Sequence, residues 1–354
     1  MKISLCMIVR NESDNIERCL NSIYKAVDEI IIVDTGSFDT TKDICLKYTN
    51  KIYDFKWIND FSKARNYAIK KAKYDYILWL DADDYLTDEN LFKLIDLKNN
   101  AKNDVDFYYF LYDFDKNYSP FYRERLFKKN KKAIFKGKVH EVITPFGKIK
   151  YENIIINQYN NNKPLTNRNL LIYESNKTKK FSTRDLYYYA RELFRHKRYD
   201  DSLKYLNKFI KRKDKYIEDY IDASILQSKI YCINNQFQVA LKCLFNTFIF
   251  DIPRVNILIE IANIYFNSSD FNKAIYYYKL SFNSLKYYKN KGFIYKDYLG
   301  YYQSLSLCVC YFNIKKYKKA FSYNELAHKL KNDNPYYLTN KIAIINYINS
   351  KHNA

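Results

Sequence analysis

Four short runs near the start of the chain, KISLCMIV, EIIIVD, KIYDF and YDYILWL, are separated by stretches whose apolar residues recur at helical spacing. Strands this continuously apolar are buried on both faces, which requires a parallel sheet covered by helices. Residues 1 to about 115 are therefore predicted to be α/β, with helices from Glu12 to about Ala26, after Asp39, and from Asp60 to Lys73. Beyond Val105 the pattern becomes strand-rich and irregular through VDFYYFLYDF, YRERLFKK, GKVHEVI and NIIINQ, and the loop YNNNKPLTN at 159–167 reads as a domain boundary.

From about Thr183 only helices are legible, and they repeat. A small residue on one helix is followed twelve places later by another on the next: Ala190 and Ser202, Ser228 and Ala240, Ala262 and Ala274, Cys308 and Ala320. An aromatic residue precedes the second of each pair by three, at Tyr199, Phe237, Phe271 and Tyr317. Helices that cross closely need small residues at the crossing, and a constant offset puts that crossing at the same place in every unit. With units 38, 34 and 46 residues apart, this resembles a degenerate tetratricopeptide array; a generic helical bundle is the alternative. The expected organisation is an α/β domain over 1–160, a linker over 161–182 and helical repeats over 183–354.

Composition narrows the function classes. The 354 residues are 47% apolar and 18% aromatic, ample for buried cores and unlike a disordered chain. Residues 1–160 carry 27 basic and 24 acidic side chains, net +3, whereas residues 161–354 carry 33 and 15, net +18. The positive excess lies in the helical half, where Lys runs such as IKRKDK and IKKYKK fall near helix ends and turns, the usual place for solvated charge. A Tyr-rich solenoid surface also suits an extended peptide. No RNA-specific motif is present, so nucleic acid is not expected as a partner. Seven Cys without a CxxC pair fit reduced thiols in a cytoplasm. Neither a signal peptide nor a membrane span is expected. A homo-oligomer is compatible with this reading.

In an open parallel sheet, ligands bind beyond the carboxyl ends of the strands. There lie Arg10, Asn11 and Glu12 after the first strand, Asp34, Thr35 and Gly36 after the second, and Asp81, Asp83 and Asp84 after the fourth. Carboxylates crowded like the last three repel one another unless something positive sits among them. An EF-hand is excluded, because Leu86 and Phe92 stand where Gly and Glu are required. Capping of the following helix by Asp83, Asp84 or Thr87 accounts for only some of the acids. Two carboxylates one residue apart at a strand mouth suit a hard divalent cation that shares phosphate oxygens.

The segments CMIVRNESDNIERCLNSI, EIIIVDTGSFDTT, NDFSKARN, ILWLDADD and RLFKKNKKAIFKGKVHE resemble, in order and spacing, the family 2 glycosyltransferases of the GT-A fold. The resemblance covers residues 1 to about 160. With helical repeats appended, the chain looks most like the sublancin S-glycosyltransferase type, which attaches sugars to cysteine of a bacteriocin peptide. It is also similar to lipopolysaccharide-core and other bacterial glucosyltransferases that share the VHE motif. The resemblance implies that Asp34 hydrogen-bonds the nucleotide base, that Asn11 and Glu12 border the nucleoside with Val9, and that Arg65 reaches the nucleotide. Asp81 and Asp83 match the DxD pair around Ala82, Asp83 as the direct ligand of Mg2+ or Mn2+ and Asp81 nearer the ribose. Each has a plainer alternative: a capping turn for Asp34, a first helical turn for Glu12, a solvated helix face for Arg65.

The implied reaction is inverting transfer of a sugar, glucose or N-acetylglucosamine first, from a UDP-sugar to a peptide or protein side chain, with a saccharide or lipid-linked glycan as the second acceptor class. A divalent cation stabilises the leaving diphosphate, and a carboxylate takes the proton of the attacking group. Glu141 is the expected base and Asp84 its rival; His140 is placed to meet the diphosphate or the metal. Arg123 and Arg125, two apart on a predicted strand, either hold phosphate or are exposed charges. Trp79 is read as core, and Trp57 as core or a stacking platform. A non-catalytic peptide- or RNA-binding scaffold is the competing class.

Overall fold

A computed structural model describes residues 1–102, 104–159, 166–176, 180–287 and 292–350, in two compact units, Met1–Lys180 and Phe181–Ala354. The boundary loop read at 159–167 lies mostly outside the described residues, and the range read as linker contains a helix that falls within the first unit.

The first unit runs β1 (Ile3–Val9), α1 (Ile16–Ile23), β2 (Glu29–Asp34), α2 (Thr41–Leu46), β3 (Ile52–Asp54), α3 (Phe61–Lys71), β4 (Tyr76–Trp79), β5 (Asp84–Tyr85), α4 (Asp88–Asn100), β6 (Phe107–Asp113), β7 (Phe121–Lys128), β8 (Phe135–Lys136), β9 (Val142–Ile143), β10 (Ile149–Gln158) and α5 (Arg168–Ser175). Eight strands form one sheet in the order β3-β2-β1-β4-β7-β6-β10-β5, and β8 and β9 form a separate antiparallel pair. The β3-β2-β1-β4 half is parallel throughout. In the other half β7 is antiparallel to both β4 and β6, β10 is parallel to β6, and β5 closes the edge antiparallel to β10.

The continuous apolar runs do what their composition requires. Leu5, Met7 and Val9 of β1 enter one core while Cys6 enters the other, the alternation of a strand buried on both faces. Helix α1 buries Ile16, Cys19, Leu20 and Ile23, one stripe at helical spacing. It starts at Ile16 rather than Glu12 because Asn11 is left-handed, with φ of 53°, and the Glu12 carbonyl first closes a turn through the N–H of Asn15. The segment GKVHEVI is not one strand: Gly137 at φ 100° and His140 at φ 51° turn the chain between β8 and β9. This is an α/β domain of GT-A type with a mostly parallel sheet.

The second unit is α6 (Thr183–Arg195), α7 (Tyr199–Ile210), α8 (Ile217–Ile233), α9 (Phe237–Phe245), α10 (Val255–Asn267), α11 (Phe271–Ser284), α12 (Tyr301–Asn313), α13 (Tyr317–Leu330) and α14 (Tyr337–Ser350), a tetratricopeptide-like array. All eight small residues of the repeat are buried, and at the first crossing the Ser202 hydroxyl donates to the Ala190 carbonyl at 2.7 Å. Each turn inside a pair is the same: Lys197, Asn235, Ser269 and Lys315 are left-handed at φ 57–60°. The next N–H reaches five residues back, as from Arg198 to Leu193 and from Asp270 to Tyr265, the helix C-terminal motif that usually places glycine at the left-handed position. Among the described residues no helix is long and apolar enough to cross a membrane, and the seven cysteines are free.

Candidate active site

The sheet order reverses between β1 and β4, so the chain ends of β1, β2 and β4 open onto one crevice. Thr35 ties two of them together: its N–H and its hydroxyl both donate to the carbonyl of Val9, at 3.0 and 3.1 Å. At the end of β2, Asp34 is 1% exposed. Its Oδ1 accepts the N–H groups of Gly36 and Ser37 at 2.8 and 2.9 Å, so the turn reading holds for that oxygen. Its Oδ2 is buried and has no hydrogen-bond partner among the described residues. A buried carboxylate oxygen left open in this way is costly unless a ligand donor completes it.

Asn11 and Glu12 shape the adjoining loop. Asn11 Oδ1 accepts from the Phe38 N–H at 2.9 Å, and the Asn11 N–H donates to Ser37 Oγ at 3.0 Å. Glu12 donates its N–H to Thr41 Oγ1 at 2.8 Å and accepts from the Asn15 amide at 2.9 Å.

Beyond β4 the three aspartates have three different fates. Asp84 is fully buried, and its Oδ2 accepts from Arg125 Nη1 at 2.8 Å and from the Asp81 N–H at 2.9 Å. Asp84 therefore does not face an acceptor, which corrects its reading as a rival base, and it does not cap α4, where Thr87 occupies the N-terminal position. Arg125 is neither exposed nor phosphate-facing as the strand pattern suggests. Leu126 pairs with Tyr108 but Glu124 with Tyr109, so Arg125 is the extra residue of a bulge and turns inward.

Asp81 accepts from Arg65 Nη2 at 2.6 Å, while Arg65 Nε donates to Glu141 Oε1 at 2.5 Å. Burial alone would raise the Asp81 pKa, but Arg65 first, then Arg123 and Arg125, outweigh it and hold the carboxyl below its ordinary range. Arg65 is 6% exposed, so it is not a solvated helix residue. Its guanidinium carbon lies 4.4 Å from the Trp79 ring centre, and those of Arg123 and Arg125 lie 4.8 and 4.2 Å from it. Trp79 is thus core, as expected, and also the aromatic surface on which three guanidinium groups rest.

Asp83 has no cation paired with it among the described residues. Burial, then the neighbouring Asp81 and Asp84, push it up to about 7, against a hydrogen bond from Gln158 Nε2 at 3.0 Å. The Tyr159 N–H fixes the Asp83 carbonyl at 2.7 Å. A carboxylate raised by neighbouring carboxylates is stabilised by a divalent cation, so the chemistry of this corner fits one. No group of three or more His, Cys, Asp or Glu side chains among the described residues could hold a metal by itself. Asp81, Asp83 and His140 are therefore not a ready-made ligand set, and a cation here would draw further ligands from phosphate and water.

The loop carrying His140 and Glu141 is docked on α3, where the Phe61 N–H donates to the Lys138 carbonyl at 2.9 Å and Asp60 caps the helix through the Lys63 N–H. Trp57 donates its indole N–H to Asn59 at 2.9 Å and packs edge-on against Phe61, partly buried at the rim. Two residues of this region carried no local signal in the sequence. Gln158 reaches Asp83 only because β10 returns beside β5. Arg168, at the start of α5, stacks over Phe61 with its guanidinium carbon 4.9 Å from the ring centre.

Residues 4–164 match the family model described as glycosyl transferase family 2. The chain is 31% identical over 260 residues to the SPbeta prophage-derived glycosyltransferase SunS of Bacillus subtilis, an alignment covering 66% of this chain and 60% of that one. It is 49% identical over 85 residues to a TPR repeat-containing protein of Synechococcus elongatus, covering 24% of this chain and 21% of that protein. It is 36% identical over 116 residues to the poly(ribitol-phosphate) beta-glucosyltransferase of Bacillus spizizenii, covering 30% of this chain and 18% of that enzyme. The chain thus spans less than two thirds of SunS and about a fifth of the other two relatives.

Proposed function

Because residues 4–164 match the family model described as glycosyl transferase family 2, we propose that this protein moves a hexose, glucose or N-acetylglucosamine, from UDP to a Cys or Ser/Thr side chain of a peptide or protein that the helical repeats recruit. The observation that carries the reading is Arg65 bridging Asp81 and Glu141, so that one buried guanidinium ties the acid assigned to the donor to the carboxylate assigned to the acceptor. In this reading the open Oδ2 of Asp34 accepts the imide N–H of uracil, and Asp81 accepts a ribose hydroxyl. Asp83 would hold Mg2+ or Mn2+, which supplies positive charge to the leaving diphosphate. Glu141, oriented through Oε1 by Arg65, takes the acceptor proton as the acceptor attacks the anomeric carbon opposite the departing UDP. His140 lies beside it, within the loop that α3 anchors.

The test is UDP-glucose and UDP-N-acetylglucosamine turnover with and without Mn2+. Glu141→Gln is expected to lower transfer by about 10²–10⁴ with UDP affinity nearly unchanged, and Asp83→Asn to remove the response to Mn2+. UDP binding indifferent to both Mn2+ and Asp83 would sink the reading. Transfer to a cell-envelope polymer is the second reading, favoured by the similarity to the B. spizizenii enzyme; product on poly(ribitol phosphate) and none on peptides would select it.

A further inference from the structure

Of the three guanidinium groups that rest on Trp79, two are matched by carboxylates: Arg65 by Asp81 and Glu141, and Arg125 by Asp84. Arg123 is not matched. The described residues include every Asp and Glu of the chain, yet none of them forms an ion pair with Arg123 or accepts a hydrogen bond from it. Ring faces hold it instead, with its guanidinium carbon 4.8 Å from the Trp79 centre and 5.2 Å from the Tyr112 centre. Arg125 has two enclosed nitrogens without a partner, Nε and Nη2, whereas no nitrogen of Arg123 is enclosed in this way, so its N–H groups are open to solvent. A guanidinium stacked on rings keeps its in-plane donors free for a second partner.

Strand β7 runs antiparallel beside β4 with Leu126 opposite Leu78, so Arg123, earlier in β7, flanks the chain beyond β4 where Asp81 lies. Burial opposes the charge of Asp81, and after Arg65 it is Arg123 that most holds this carboxyl below its ordinary range. The sheet sets β2, β1, β4 and β7 side by side. A nucleotide with its base at Asp34 beyond β2 and its diphosphate at Asp83 beyond β4 presents its sugar toward β7. Glucose and N-acetylglucosamine are neutral, so that end of the donor has no charge to offer a guanidinium. The matching anion therefore arrives with the acceptor. The charge of the helical unit agrees: residues 181–354 carry 28 Lys and Arg against 14 Asp and Glu, so one-to-one pairing leaves at least half of these cations without an internal partner. A surface of that sign draws an acidic segment and repels a basic one.

We propose that the acceptor is an acidic peptide and that Arg123 grips the carboxylate of an Asp or Glu beside the glycosylated side chain. This rests on the peptide-acceptor reading. Arg123 is then a specificity residue: two parallel N–H bonds to one carboxylate fix the approach of the acceptor, while Asp81 and Glu141 stay with Arg65. A basic residue at the same place in the peptide meets like charge and is rejected.

The test uses the full chain with UDP and Mn2+ and three probes followed by saturation-transfer NMR: Ac-Glu-Cys-Glu-NH2 and the same peptide with Gln or Lys in place of both Glu residues. The Glu peptide is expected to bind about tenfold or more tightly than the Gln peptide, as a charge-assisted pair implies, and the Lys peptide weakest. Arg123→Gln should bring the ratio of Glu to Gln peptide close to one, Arg123→Lys should restore part of it, and Arg123→Glu should favour the Lys peptide. A structural loss weakens all three peptides alike, so the ratio isolates the contact. Equal binding of the three, binding of none, or a Glu preference that survives in Arg123→Gln overturns the proposal. So does an unmoved ratio with weakened UDP relative to UMP, which would assign Arg123 to the diphosphate. Transfer from UDP-glucose is read separately. Product on poly(ribitol phosphate) and on no peptide overturns the proposed function and this proposal with it, whereas transfer to peptides without regard to their charge overturns the proposal alone.

Discussion

Arg65 and Glu141 lie 76 residues apart in sequence and 2.5 Å apart in space, the guanidinium of one orienting the carboxylate of the other. The same guanidinium holds Asp81 at 2.6 Å and rests on Trp79. Arg65→Lys keeps the charge but loses the fork, since an ammonium cannot serve both carboxylates in this geometry. Transfer is expected to fall by about 10² as Glu141 loses its orientation. Arg65→Met, which strips two partly or fully buried carboxylates of their counter-ion, should in addition cost about 3 kcal/mol of stability. Kinetics on the first and urea midpoints on the second check both.

Asp84 and Arg125 are both fully buried, and each is the other's charge partner. Asp84→Asn leaves a buried guanidinium without its anion, a change that typically costs about 3–5 kcal/mol. The expected result is a lower melting temperature with residual activity in the fraction that stays folded. A variant with wild-type stability and no transfer would instead restore Asp84 as a catalytic group.

Asp219 links stability to pH. Burial first, then the nearby acids Asp222 and Glu218, push it up to about 6 against the pull of Arg184 and Arg191. Because the folded value exceeds that of the unfolded chain, the folded state holds the proton more tightly. The stability associated with this group is complete below about pH 4 and is lost as pH rises through about 6. At neutral pH the charge costs on the order of 2–3 kcal/mol. Asp219→Asn should therefore raise the melting temperature at pH 7.5, with the gain shrinking as pH falls toward 4; a gain independent of pH would contradict this account.

The four left-handed turn residues carry another cost. Lys197, Ser269 and Lys315 have side chains ill suited to φ near 60°, a conformation costing about 1–2 kcal/mol without glycine. Ser269→Gly and Lys315→Gly are expected to stabilise the helical unit by about 0.5–1 kcal/mol each after the greater freedom of the unfolded chain is allowed for. Asn235→Gly should gain less, asparagine being tolerant of this region. Denaturant midpoints decide, and a loss of stability at Ser269 and Lys315 would show that their side chains matter there.

Much of the architecture was legible because burial leaves a periodic trace. Runs such as EIIIVD can be that apolar only when both faces are covered, and the small residues twelve apart, from Ala190 and Ser202 to Cys308 and Ala320, mark where helices meet. The ends of those runs also located Asp34, Asp81 and Asp83 at the crevice. GKVHEVI misled, since alternating apolar residues suggest a strand while His140 adopts a left-handed turn.

Sequence alone thus determined which residues face a core, where strands end and where helices cross, because each of these is a local matter of period and side-chain size. Which charge meets which was decided only by the tertiary structure. Asp84 finds Arg125 across 41 positions and Asp83 finds Gln158 across 75. Neither pairing leaves a local pattern, because a charge leaving water is matched by whatever the topology brings alongside it, and that neighbour comes from a distant strand.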